Sequence, residues 1–531
     1  MPKQVQYGRF IGTITKILTN FTIFAKYNPI PMNKNNKPDI HFVEITSFGC
    51  GPDAFVVDEV AEILKAKGKT MTLLKVDDVN NIGSLKLRVR SLLESLKLRT
   101  EDIKSQPLPQ TPIYKKTDKK KTILVPHFSD FYSPFVETFF EMMGYKIKTL
   151  PPSNDESIQL GLQFSNNEIC YPATLVIGDF IRALRSGDYD TKDIVLGISQ
   201  TGGQCRATNY IMLIKKAMIA ADYNDIPVIS IAFSDGINNQ QEFVLDWKPL
   251  INIAMYAILF ADSISKMYYS AVAHSKDLKQ ELLKEMTTIE YITNIRDKYI
   301  KKSQNYVRNK DSKGLLSLLE TAVEDFNNVL DLSKEPPKIG IVGEIYVKYN
   351  NVGHKGVVNW LVEQGAEVVM PSLLSFFVQY FVNRKADVDL NLVERNVFND
   401  IVPKILQIQL KRAMKKVSDV AKNYKLWTDF GDINEDAREA AKIISLATQF
   451  GEGWLIPAEI GNFDKHNVQN VVSLQPFGCI ANHIISKGIE KKIKEHYPKM
   501  NLLFLDFDSG VSDVNVHNRL HFMLKNARNV R

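Results

Sequence analysis

Four cysteines are spread through 531 residues, at positions 50, 170, 205 and 479, and each stands beside turn residues. Cys50 lies between Gly49 and Gly51-Pro52-Asp53. Cys170 opens Cys170-Tyr171-Pro172; proline is favoured in the first turn of a helix, so Cys170 is expected at or near an N-cap. Cys205 ends Thr201-Gly202-Gly203-Gln204-Cys205 and precedes Arg206, while Cys479 follows Gly478. A helix start offers unpaired N–H groups and the positive end of a dipole. Both favour thiolate, the form that binds metal. Thiolates on several strand-to-helix turns can converge in the crevice at the carboxyl ends of a parallel sheet. A soft cation or an iron–sulfur cluster suits such donors, with Arg206 offsetting negative charge. Other readings stand beside this one. Buried cysteines also serve as small packing residues, as in a scaffold that holds a partner subunit, and four thiolates can hold structural zinc. No Cys-x-x-Cys pair is present.

Other chemistry is sparser. No P-loop pattern occurs. Gly340-Ile341-Val342-Gly343-Glu344 follows a strand candidate and reads as a tight turn. The loop 449–459 carries Gly451 and Gly453 and could line a pocket, with Glu452 or Glu459 as a polar contact. His517 and His521 are spaced by four but read as surface or core residues.

The elements that must position these residues alternate. Strand candidates cover 41–48, 71–76, 122–126, 147–150, 194–199, 227–233, 338–342, 367–371, 471–474 and 502–506, with helical patterns between most neighbours. That alternation predicts an α/β fold of several parallel-sheet, Rossmann-like domains with helical insertions. The expected units are an N-terminal amphipathic segment (1–40), a partial α/β unit (41–105) and a linker (106–121). An α/β domain with Cys170 and Cys205 (122–240) follows, then a helical bridge (241–336) and an α/β domain with a helical insert (337–531).

An internal duplication is also legible. Ile45-Thr46-Ser47-Phe48-Gly49-Cys50 lines up with Leu474-Gln475-Pro476-Phe477-Gly478-Cys479, each followed by helix, strand and helix. Matched on the cysteines, Asp77 pairs with Asp506 and Arg90 with Arg519.

Composition sets outer bounds. Hydrophobic residues are 44% and charged residues 24%, the balance of a folded globular chain and neither a disordered tail nor a disulfide scaffold. The net charge of +7 is mild for this length, and the lysines of 115–121 beside proline-rich 106–112 read as a solvated linker. No nucleic-acid signature accompanies them. The stretch 10–25 is broken by Lys16, Asn20 and threonines, unlike a signal peptide. The longest apolar helix candidate, 249–261, is roughly half of a membrane span. A cytoplasmic protein with no membrane partner is expected.

Several segments together resemble a known superfamily. Asn167-Glu168-Ile169-Cys170-Tyr171-Pro172 with Ile177-Gly178-Asp179, and Gly202-Gly203-Gln204-Cys205-Arg206 with Tyr210, are similar to the 2-hydroxyacyl-CoA dehydratase and benzoyl-CoA reductase superfamily. With Phe48-Gly49-Cys50-Gly51-Pro52-Asp53, Val342-Gly343-Glu344, Gly451-Glu452-Gly453-Trp454 and Pro476-Phe477-Gly478-Cys479, residues 40–531 most resemble the C-terminal half of long CoA-substrate-specific activase-related proteins. The resemblance implies an oxygen-sensitive [4Fe–4S] protein of anaerobic metabolism, fed low-potential electrons by an ATP-dependent activase. Cys170 and Cys205 are the implied ligands, then Cys479, with Cys50, its repeat counterpart, as a fourth candidate; the residues themselves make Arg206 and Glu452 the candidate cofactor contacts. A CoA thioester or small substrate, and a homodimer or heterodimer, are in keeping with it. With four cysteines, one cubane per chain is expected rather than a double cubane. The chain is expected to begin inside the first repeat unit, so ATP hydrolysis falls to a separate activase or activase-like chain.

Overall fold

Short β-branched runs become ten strands among the described residues, one at each expected place, and every strand pair is parallel. The computed structural model describes residues 41–531 except 47–49, 51, 68, 77–81, 99–109, 167–168, 201–204, 232–241, 277–285, 395–397, 511 and 530–531. The expected N-terminal segment, Asp77, Gly49, Gly51, residues 201–204 and most of the proline-rich stretch therefore lie outside the described residues.

The first unit is β1 (Phe42–Thr46), α1 (Pro52–Ala66), β2 (Met71–Lys75) and α2 (Ile82–Leu98), a two-stranded sheet with two helices. The second holds β3 (Thr122–Val125), α3 (Ser133–Met142), β4 (Lys146–Thr149), α4 (Asp155–Phe164), α5 (Tyr171–Arg185), β5 (Ile194–Ser199), α6 (Tyr210–Ala220) and β6 (Val228–Ile231). Its strand order is β4-β3-β5-β6. Three helices follow, α7 (Ile251–Ala273), α8 (Thr288–Arg308) and α9 (Ser312–Asn327). The last unit runs through β7 (Lys338–Gly343), α10 (Ile345–Tyr349), α11 (Val357–Glu363), β8 (Glu367–Val369), α12 (Leu373–Asp389), α13 (Phe398–Ala421), α14 (Ile433–Ala440) and α15 (Leu455–Lys465). It closes with β9 (Asn470–Pro476), α16 (Glu490–His496), β10 (Asn501–Phe507) and α17 (Asp513–Asn529), in strand order β10-β9-β7-β8.

The two four-stranded sheets thus share one order. In each, the strand order reverses beside the first strand, between β3 and β5 and between β7 and β9. Ligands of open α/β sheets bind at the carboxyl ends of such a reversal.

The helices α7–α9 are a structural bridge. One apolar cluster runs from Phe131 and Leu175 through Ile264, Tyr299 and Phe326 to Ile341, Val472 and Leu520. At its centre, buried Asp262 accepts from Tyr132 Oη at 2.6 Å and Leu373 N at 2.9 Å, tying α7 to both flanking units. The segment Lys248–Ala273 is longer than the apolar stretch expected from the sequence; it is long and apolar enough to cross a membrane, but 67% of that window is buried inside the protein. Small side chains such as Ala257, Ser263 and Ala271 sit inside its packing contacts, which hid its length from the hydropathy pattern.

Within residues 115–121 most lysines are exposed, as on a solvated stretch, but the backbone is ordered. Lys116–Lys120 forms a 3₁₀ turn; Asp118 accepts from Lys115 N at 2.8 Å and Lys116 N donates to Glu242 at 2.6 Å. One carboxylate from within the turn and one from Glu242, far along the chain, take two of its backbone donors, while most of its lysine side chains face water.

The duplication is present, with a corrected register. β1 and β2 pair Phe42 with Met71, whereas β9 and β10 pair Val471 with Leu502. The second copy holds two more residues between its strands, so beyond the helix the equivalent of Arg519 is Arg88 and not Arg90. The side chains agree: Arg88 Nη1 donates to Leu73 O at 3.2 Å and Arg519 Nη2 to Phe504 O at 2.8 Å, each reaching back 15 residues. The same shift sets Asp506 opposite Lys75 rather than Asp77.

Candidate functional site

Cys50, Cys205 and Cys479 each follow a strand, β1, β5 and β9, and each precedes a helical turn. Cys170 is the N-cap of α5, as its proline predicted. The position of α5 is fixed by close packing: a Cβ on Gly178 would stand 1.7 Å from Ser157 O on α4. Salt-bridged Lys216 and Glu62, 2.7 Å apart, hold α6 against α1 and so bring the first unit to the second.

The four thiols share one neighbourhood, with Cys50 and Cys479 buried and Cys170 and Cys205 half-buried. Cys50 and Cys479 are in side-chain hydrogen-bond contact, and Cys479 is within electrostatic reach of Cys170 and Cys205. Cys170 is within reach of Cys50, and Cys205 of both Cys50 and Cys170. Four elements that are far apart in sequence therefore deliver sulfur to one place. Among the described residues, no group of three or more His, Cys, Asp or Glu is spaced to grip a metal ion as it stands.

The helix starts do not acidify these thiols. Burial pushes Cys170 and Cys205 well above the ordinary thiol range, and each neighbouring cysteine adds to the shift. For Cys479 the contact with Cys50 leads and burial follows. The expected preference for thiolate is thus overturned. The dipole of a single turn is a fraction of a charge, and desolvation of a whole charge outweighs it. Tyr210 Oη donates to Cys170 Sγ at 3.2 Å and Arg206 lies nearby; both act in the opposite sense without prevailing.

Carboxyl groups line the other side. Glu344 caps α10, accepting from Val347 N at 2.8 Å. Glu452 accepts from Ile345 N at 2.8 Å and from Asn482 Nδ2 at 3.1 Å. The same Asn482 nitrogen is 3.4 Å from Cys479 Sγ, so one amide joins acid and thiol. Glu459 receives two bonds from Lys348 Nζ, at 3.0 and 3.3 Å. Burial, then the charge of Glu452, raises Glu344 to about 8; burial also raises Glu452, and lifts Glu459 to about 7 against the pull of Lys348. Glu344 is in electrostatic reach of Cys170, and Glu452 of Cys205.

Of the residues singled out from sequence, Cys50, Cys170, Cys205, Cys479, Arg206 and Glu452 all fall in this region, and Glu459 borders it. Glu344, Lys348 and Asn482 were missed as site residues. Glu344 carries a legible signal, an acid directly after a strand-ending glycine. Gly343 has φ +132°, and a Cβ there would stand 1.9 Å from Leu474 O. His517 and His521 lie elsewhere, against the Trp360 ring.

The comparisons bear on part of the chain. Residues 128–193, which include Cys170 and α5, match the family described as the CoA enzyme activase uncharacterised domain. No curated protein matches the sequence.

Proposed function

We propose that this chain holds a [4Fe–4S] cluster on Cys50, Cys170, Cys205 and Cys479, and accepts or relays low-potential electrons in an activase-coupled CoA enzyme system. The observation that carries the reading is the shared neighbourhood of four thiols drawn from four separate elements. The activase-domain match over residues 128–193 supports the setting.

The donor chemistry suits such a group, and loading would draw the sulfurs closer, since among the described residues they are not spaced to grip a metal as they stand. The donors are four soft sulfurs. Tyr210 and Asn482 supply donors to sulfur, the usual means of tuning a thiolate-held centre. Asn482 Oδ1 is buried and has no partner among the described residues, so the amide is held by its nitrogen alone. When bound, a cluster of this kind supplies one-electron chemistry. The chain's own residues do the rest. Burial keeps water from Cys50 and Cys479, Arg206 places positive charge near Cys170, and burial raises Glu344 to about 8 and also raises Glu452. A CoA thioester or another small substrate is the class of molecule such a centre would serve.

The test is anaerobic purification with iron and sulfide analysis, followed by electron paramagnetic resonance of the reduced protein. Stoichiometric iron and sulfide, lost in Cys170→Ala and Cys205→Ala, is the expected result. An iron-free parent indistinguishable from those variants rejects the proposal, and one zinc per chain assigns the site to structural zinc instead.

A further inference from the structure

The two copies of the duplicated unit differ in what covers them. In the second copy Val472, Leu474, Phe507, Leu520 and Leu524 are 0–1% exposed and belong to one apolar cluster. Their equivalents in the first copy, through the register established above, are Val43, Ile45, Val76, Val89 and Leu93. These are 37–66% exposed. The apolar pattern has been kept, and among the described residues the cover has not.

The second copy shows what the cover consists of. Helix α11 lies along α17: Trp360 stacks on His517 at 5.5 Å, Lys355 pairs with Asp513 at 3.4 Å, and Arg528 donates to Gln364 O at 2.6 Å. Val357, Val358 and Leu361 of α11 belong to the same apolar cluster as Leu520 and Leu524. Part of the cover over α17 is therefore a short apolar helix with a polar rim. Among the described residues no such helix lies on α2.

Charge selects the occupant. On α2 the positions of His517 and His521 are Lys86 and Arg90, and the helix carries Lys86, Arg88, Arg90 and Lys97 against Glu94 alone. Two such faces repel one another, which disfavours a second copy packed face to face. Residues 1–40 carry Lys3, Arg9, Lys16, Lys26, Lys34 and Lys37 against Asp39 alone, the wrong sign for this surface. We infer that the β1 and α2 face of the first copy docks an amphipathic helix of a partner polypeptide, with Leu, Val or Ile on its buried face and Asp or Glu on its rim. The buried stripe supplies affinity, and the rim supplies orientation and salt sensitivity.

The test uses the whole chain and two designed helical peptides with one shared Leu/Val face, one rimmed by Glu and the other by Lys. Expected are slowed amide exchange in Met71–Lys75 and Ile82–Leu98 with the Glu-rimmed peptide and an affinity at least ~10-fold above that of the Lys-rimmed one, weakening with salt. Val89→Ser and Leu93→Ser, both at exposed positions, should each weaken binding several-fold with an unchanged circular dichroism spectrum. Equal binding of both peptides, or binding of neither, overturns the inference. So does a concentration-dependent dimer, or full protection of the same segments in the chain alone, since either shows that another occupant holds the face. None of these readouts depends on bound metal, so failure here is distinct from failure of the cluster proposal.

Discussion

Tyr210 donates its hydroxyl proton to Cys170 Sγ across 3.2 Å, linking the start of α6 to the start of α5. The bond favours the thiolate of Cys170 against burial. Tyr210→Phe should therefore slow alkylation of metal-free Cys170 by about fivefold, the effect of a net hydrogen bond worth about 1 kcal/mol. Iodoacetamide labelling followed by peptide mass spectrometry measures this. An unchanged rate removes the tyrosine from the control of this thiol.

Buried Asp179 accepts from Ser153 Oγ at 2.7 Å, yet burial raises its carboxyl from 3.8 to about 6. Between those two values the unfolded carboxyl has released its proton while the folded one retains it. The share of stability that Asp179 contributes should therefore fall as pH rises from about 4 through 6, by about 3 kcal/mol, while raised Glu459 and Glu344 extend the decline to higher pH. Denaturant titrations at pH 4.5 and 7 read this change, and Asp179→Asn should flatten it.

Lys348 and Glu459 form an ion pair whose side chains are only 4% and 7% exposed. Lys348→Met leaves a buried carboxylate without its cation and should cost about 3–5 kcal/mol. Adding Glu459→Leu should recover much of that loss, because the pair's attraction and its desolvation largely offset each other. A double-mutant cycle by urea unfolding gives the coupling.

Gly343 adopts φ +132° at the end of β7, with Leu474 O in the place a Cβ would take. Gly343→Ala should cost more than about 3 kcal/mol, since backbone on both sides must shift. It should also displace Glu344. The melting temperature reads the first effect, and loss of metal from an anaerobically prepared variant reads the second.

Much of this architecture was legible in the residues. The ten strands among the described residues announce themselves by short apolar runs, most of them β-branched, and Pro172 marks the start of α5. The duplication was legible at Cys50 and Cys479 and misread beyond them. Two extra residues lie between the second copy's strands, and a spacing count from the cysteines cannot see them. What sequence could not weigh was competition between opposing terms. Helix starts argue for acidic thiols, but burial by residues distant in the chain decides the outcome. Likewise Asn482 becomes a site residue only because a π-helical turn, Ile480–Ser486, aims its amide at Cys479 and Glu452.

The spread of the four cysteines along the chain has a kinetic consequence. Cys50 and Cys479 are electrostatic neighbours, although most of the polypeptide lies between them. Contacts of such long loop span form late, after the local α/β units and the helices between them have docked. The thiol neighbourhood is then among the last features to assemble during folding. A metal delivered before that point meets separated sulfurs, so productive loading follows completion of the fold and reports on it.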